Sequence, residues 1–122
     1  MVALSGCAAE VVSANCIDLP NPGIALSFED SSTGARYPFM DIVAIASEGA
    51  FRDTARAASI TGDPHSVTGV GLVFDRAGTY DLTVQAAGYA LWTASDVRVR
   101  EEDNQCRHVI TRNIVARLQA TP

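Results

Sequence analysis

From Thr79 to Ala86 the chain alternates without interruption: Tyr80, Leu82, Val84 and Ala86 fall on one side, and Thr79, Asp81, Thr83 and Gln85 on the other. Successive side chains of a strand point to opposite faces, so this segment reads as a strand with one dry and one wet face. That is the pattern of an antiparallel sheet covered on one side only, and it commits the chain to a second layer that covers the dry face. The same period extends outward. Val70, Leu72 and Phe74 alternate with Gly69, Gly71 and Val73 before the turn Asp75-Arg76-Ala77-Gly78. After a break at Gly88, the chain restarts over Tyr89–Thr93 around Trp92. Val97 and Val99 follow, with Asp96, Arg98 and Arg100 facing away.

The remaining strands are read in the same way. Pro20-Asn21-Pro22-Gly23 releases a strand over about 24–30, with Ile24, Leu26 and Phe28 on one face. Ser31–Gly34 is a turn. A strand rich in Val, Ala and Ile covers about 42–47, and Glu48-Gly49 turns it into a weaker one near 50–57. A helix over 50–60 competes there, because Ala55, Ala57 and Ala58 favour it, but the hairpin spacing around Gly49 fits the all-β rhythm. A loop covers 59–66, and the last strand is expected over about 108–118, with Ile114, Ala116 and Leu118 inward. The expectation is an all-β, seven-stranded antiparallel sandwich, immunoglobulin-like or transthyretin-like, over residues 20–122. Residues 1–19 form a small-residue linker ahead of it. At 122 residues the chain suits one domain.

Asp75–Tyr80 resembles a tyrosine corner, in which a Tyr at a strand start bonds back to the backbone, so Tyr80 is assigned to structure. Trp92 is assigned to the core. Gly78-Thr79-Tyr80-Asp81-Leu82-Thr83-Val84, then Ala87-Gly88-Tyr89, then Val97-Arg98-Val99 resemble the carboxypeptidase regulatory-like family, a transthyretin-like group of seven-stranded sandwiches. The resemblance covers about the C-terminal third of the chain. It implies an accessory domain of a bacterial lipoprotein or of a larger enzyme or transporter, without catalytic residues of its own. Transthyretin-like hydrolases acting on 5-hydroxyisourate carry a terminal Tyr-Arg-Gly-Ser, whereas this sequence closes on Arg117-Leu118-Gln119-Ala120-Thr121-Pro122.

Leu4-Ser5-Gly6-Cys7 resembles a lipobox, which would make Cys7 the lipidated N-terminus of an exported chain tethered to the cell envelope. The charged and apolar leader that precedes such a box is missing from these residues, and the alternative is an ordinary thiol at Cys7. With Cys7 set aside, Cys16 and Cys106 make an even pair, read most simply as a disulfide in an oxidising compartment. Closing a loop of about 90 residues contributes roughly 4–5 kcal/mol in the chain-entropy model. Two separate buried thiols are the alternative.

The remaining chemistry is thin. The formal charge of −5, with nine Arg and no Lys, does not suit a phosphate-neutralising surface, and nucleic acid is not an expected partner. The pairs Arg52/Arg56 and Arg98/Arg100 each have acidic neighbours in sequence. His65 and His108 are too few for zinc, so no metal is expected. Glu29-Asp30 and Glu101-Glu102-Asp103-Asn104 lack the spaced ligands of a dedicated calcium loop. No Gly-x-Ser-x-Gly occurs, and Gly69-x-Gly71 lacks the following helix of a phosphate loop. The functional expectation is therefore a monomeric, non-catalytic module without cofactor. It would be held at the membrane only by a lipid anchor and would bind an unknown protein or glycan. A structural spacer of the envelope is the first alternative, and a small hydrolase the last.

Overall fold

The computed structural model describes residues 20–35, 41–58, 69–103 and 106–122. Among these every regular element is a strand: β1 (Ile24–Asp30), β2 (Asp41–Glu48), β3 (Phe51–Ala58), β4 (Gly69–Leu72), β5 (Gly78–Ala86), β6 (Trp92–Glu101), β7 (Val109–Ile110) and β8 (Arg112–Leu118). They form a three-stranded sheet, β4-β1-β8, and a five-stranded sheet, β3-β2-β5-β6-β7. The all-β expectation holds. The segment around Gly49 is the β2–β3 hairpin, paired from Glu48↔Phe51 to Asp41↔Ala58, and the competing helix is absent there.

The core consists of the inward sets that the alternation marks. Ile24, Leu26 and Phe28 of β1, Leu72 of β4, and Ala116 and Leu118 of β8 face Ile42, Ala44, Ala46, Tyr80, Leu82, Val84, Val97 and Val99 of the larger sheet. Burying a large apolar side chain contributes about 1.5–3 kcal/mol, so these sets fix the register: a one-residue slip would place each of them in water.

Three details depart from the expected pattern. The first is at Val73, where φ is +49°. The alternation expected through Phe74 stops there, Val73 turns inward, and Phe74 is left 50% exposed. A β-branched residue in the left-handed region is strained. Three bonds hold it: its N–H donates to Asp53 Oδ2 (2.7 Å), and its carbonyl accepts from Gly23 N (3.2 Å) and Arg76 N (3.2 Å). The Phe74 ring folds back over Gly71, where a Cβ would lie 2.7 Å from its Cζ.

The second is a β-bulge. Tyr80 pairs with Val97 but Leu82 with Ala94, so β6 carries one residue more than β5. The extra residue is accommodated at Asp96, whose φ is +57°. Trp92 and Val97 belong to one continuous strand, as the run from Trp92 through Val97 and Val99 suggests, with the bulge between them.

The third concerns the last strand. Val109–Ile110 extends the larger sheet through Arg100↔Ile110. After Thr111 the chain crosses to the smaller sheet, where β8 runs parallel to β1 from Ile24↔Arg112 to Asp30↔Leu118. The crossing is fixed by Thr111 Oγ1 donating to the Pro22 carbonyl (2.7 Å) and Arg112 N to the Gly23 carbonyl (2.8 Å). Among the described residues there are eight strand segments, and the β1–β8 pair is parallel, where seven strands in an antiparallel arrangement were expected.

Candidate binding surface

At one end of the larger sheet the β2–β3 hairpin meets the β4–β5 turn. Tyr80, fully buried, donates its hydroxyl to the Arg76 carbonyl (2.8 Å), four residues back. The Arg76 guanidinium lies 3.6 Å above the Phe51 ring centroid, within cation–π range. Its Nη1 donates to Tyr80 Oη (2.7 Å) and to Glu48 Oε1 (3.0 Å). Glu48 closes the set by accepting the Thr79 N–H at Oε2 (2.8 Å). That backbone donor, and then Arg76, hold the Glu48 carboxyl below the usual range, while the Tyr80 hydroxyl raises the Arg76 pKa. Gly78 makes this approach feasible, since a Cβ there would stand 2.8 Å from both Glu48 carboxylate oxygens.

Beside this cluster lies an open groove of about 470 Å³, lined by Glu48, Gly78, Thr79, Arg98, Arg100 and Glu101 among others. The bulge at Asp96 sets which side chains reach it. By restoring the phase of β6 it turns Val97 and Val99 inward and leaves Arg98 and Arg100 exposed. Arg98 stands opposite Thr79, and Arg100 opposite the half-exposed Ile110. Arg112 brings a third guanidinium to the same corner, donating from Nη1 to the Arg98 carbonyl (2.9 Å).

Two further carboxylates tie the ends of the sandwich. Asp30 Oδ2 accepts from the Tyr89 hydroxyl (2.8 Å), and its Oδ1 accepts from Ser32 N (2.8 Å) and Thr33 N (3.1 Å). These bonds, the Tyr89 one foremost, lower its pKa to about 2. Asp75 lies 3.2 Å from His108 Nδ1 and also accepts from Asn21 N (3.3 Å), and the His108 contact leads in lowering its pKa. No family model matches the chain, and no curated protein matches its sequence.

The residues singled out from the sequence fall as follows. Tyr80 closes the corner cluster. Trp92 is half-buried, packed against the core at the rim of a hollow of about 270 Å³ shared with Leu91 and Arg117. Cys106 is half-buried in the segment before β7, whereas Cys7, Cys16 and His65 lie outside the described residues. His108 reaches Asp75, and among the described residues no three His, Cys, Asp or Glu side chains are grouped to hold a metal ion. Glu29 is engaged by Arg117 Nε (2.9 Å). Arg98 and Arg100 do not stand out as site residues in the sequence, because acidic residues neighbour them in the chain. The missed signal was the odd spacing from Ala94 to Val97, which marks the bulge.

Proposed function

We propose that the chain is an exported, non-catalytic accessory module, a transthyretin-like sandwich that binds through its surface. The observation that carries this reading is what its perturbed carboxylates do. Asp30, Glu48 and Asp75 each bond to a group from a segment distant in sequence, so each closes a loop rather than facing another acid or base across a cleft. Of the three only Glu48 lines the groove described above, and both its oxygens already accept bonds, from Arg76 and from Thr79 N, whereas a catalytic carboxyl needs an oxygen available to substrate.

The division of strands supports the transthyretin-like form over the immunoglobulin form. An immunoglobulin constant domain places its second and third strands in different sheets. Here β2 and β3 are hairpin neighbours in one sheet. The lipobox-like Leu4–Cys7 supports lipidation at Cys7, and the even remainder Cys16 and Cys106 suits a disulfide in an oxidising compartment.

The chain, expressed behind its own genomic upstream sequence in a bacterial host and fed an alkyne fatty acid, is expected to take up the label. Cys7→Ser is expected to abolish that uptake. A wild-type chain that stays unlabelled and in the cytoplasm would overturn the export and anchoring reading.

A further inference from the structure

We infer that the groove beside the corner cluster is a binding site for oxyanions, and that its natural ligand is a carboxylate-bearing polysaccharide. The inference rests on the binding-module reading and names the ligand class for it. The two β6 arginines are two residues apart on one face of a strand, which sets their Cα atoms roughly 6.6 Å apart and aims both guanidinium groups outward. Among the described residues neither guanidinium takes part in an ion pair, unlike those of Arg76 and Arg117, which pair with Glu48 and Glu29.

Glu48 lines the groove, but its charge is balanced by Arg76 and its oxygens already accept from Arg76 and Thr79 N. Glu101 is the one other carboxylate among the described lining residues, so the groove itself carries two unpaired guanidinium groups against one free carboxylate, with Arg112 at its rim and Asp81 and Asp96 next along the same face. A planar guanidinium fork matches a carboxylate bidentately, and the exposed Thr79 hydroxyl beside Arg98 suits a neighbouring sugar hydroxyl. A repeating acid presents such groups at intervals, so two arginines on one strand face can engage one chain together.

The test is isothermal titration of the folded protein with polygalacturonate, with dextran sulfate and neutral dextran as comparison probes. Arg98→Ala/Arg100→Ala is expected to weaken polygalacturonate binding at least tenfold. Arg52→Ala/Arg56→Ala removes the same charge from the far edge strand and is expected to change it less than threefold. Glu101→Gln is expected to tighten it.

Equal losses in the two double variants would overturn the inference, because the attraction would then follow net charge alone. Tighter binding to dextran sulfate would overturn the carboxylate assignment. Binding to neutral dextran that ignores Arg98 and Arg100 would overturn the oxyanion site while leaving the module reading intact. Release of shortened polygalacturonate would instead overturn the non-catalytic reading. Absence of binding to all three polymers would overturn the inference outright.

Discussion

Tyr80 is the largest fully buried side chain among the described residues, and its hydroxyl donates to the Arg76 carbonyl and accepts from the Arg76 guanidinium, four residues back. Replacing it with Phe keeps the ring in the core but leaves the Arg76 carbonyl and guanidinium short of a partner. A lost bond of this kind costs roughly 1–3 kcal/mol, which lowers Tm by about 4 °C or more in a domain of this size. Thermal denaturation followed by circular dichroism measures it. Asp30 gives a different signature. Its carboxyl is held at about 2 in the fold against 3.8 ordinarily, so the unfolded chain binds the proton more readily. The stabilisation is complete above about pH 4 and is lost as pH falls toward about 2. Acid titration of Tyr89→Phe should therefore show a shallower fall in stability across that window than wild type. Coincident curves would mean that the Tyr89 bond carries none of it.

At the scale of the element, the smaller sheet depends on a glycine. A Cβ at Gly69 would lie 2.6 Å from the Leu26 carbonyl oxygen, a backbone atom of the partner strand. Gly69→Ala is expected to push β4 away from β1 and to destabilise by roughly 1–3 kcal/mol, as overpacking does, measured by urea denaturation. A variant of unchanged midpoint would contradict the close approach. Asp53→Ala removes the acceptor of the Val73 N–H and the clasp on its left-handed backbone, with an expected cost of roughly 1–3 kcal/mol in the same assay.

Much of this architecture was legible in the sequence, and the misses have common causes. β1, β2 and β5 have intact period two, and their inward sets are the core. Legibility failed where the period slipped by one residue at Val73 and at Thr111, whereas at Asp96 the inward Val97 and Val99 and the outward Asp96, Arg98 and Arg100 were legible and only the bulge was not. Each slip is set by bonds between segments far apart in sequence, such as Asp53 with Val73 or Thr111 with Pro22. Alternation within one segment carries no record of them. The groove was hidden for the same reason, because charge neighbours along a strand are not neighbours on its face. Tyr80 was legible because its partner is only four residues away.

For the whole molecule, the chemistry-bearing side chains divide into two groups. Asp30, Glu48, Asp75 and Arg76 fasten loops to the ends of the sandwich, whereas Arg98 and Arg100 point outward from it. A disulfide between Cys16 and Cys106 would add a covalent tie from the linker to the segment before β7. Mass spectrometry with and without reductant is expected to show no alkylatable thiol at either position before reduction, and two free thiols would remove that tie.

The division itself is tested most directly by the melting temperature of Arg98→Ala/Arg100→Ala. Surface substitutions outside any structural bond stay within about 0.5 kcal/mol, so a Tm within roughly 4 °C of wild type is expected. A fall as large as that of Tyr80→Phe would contradict it, because these arginines would then belong to the structure and not to a ligand.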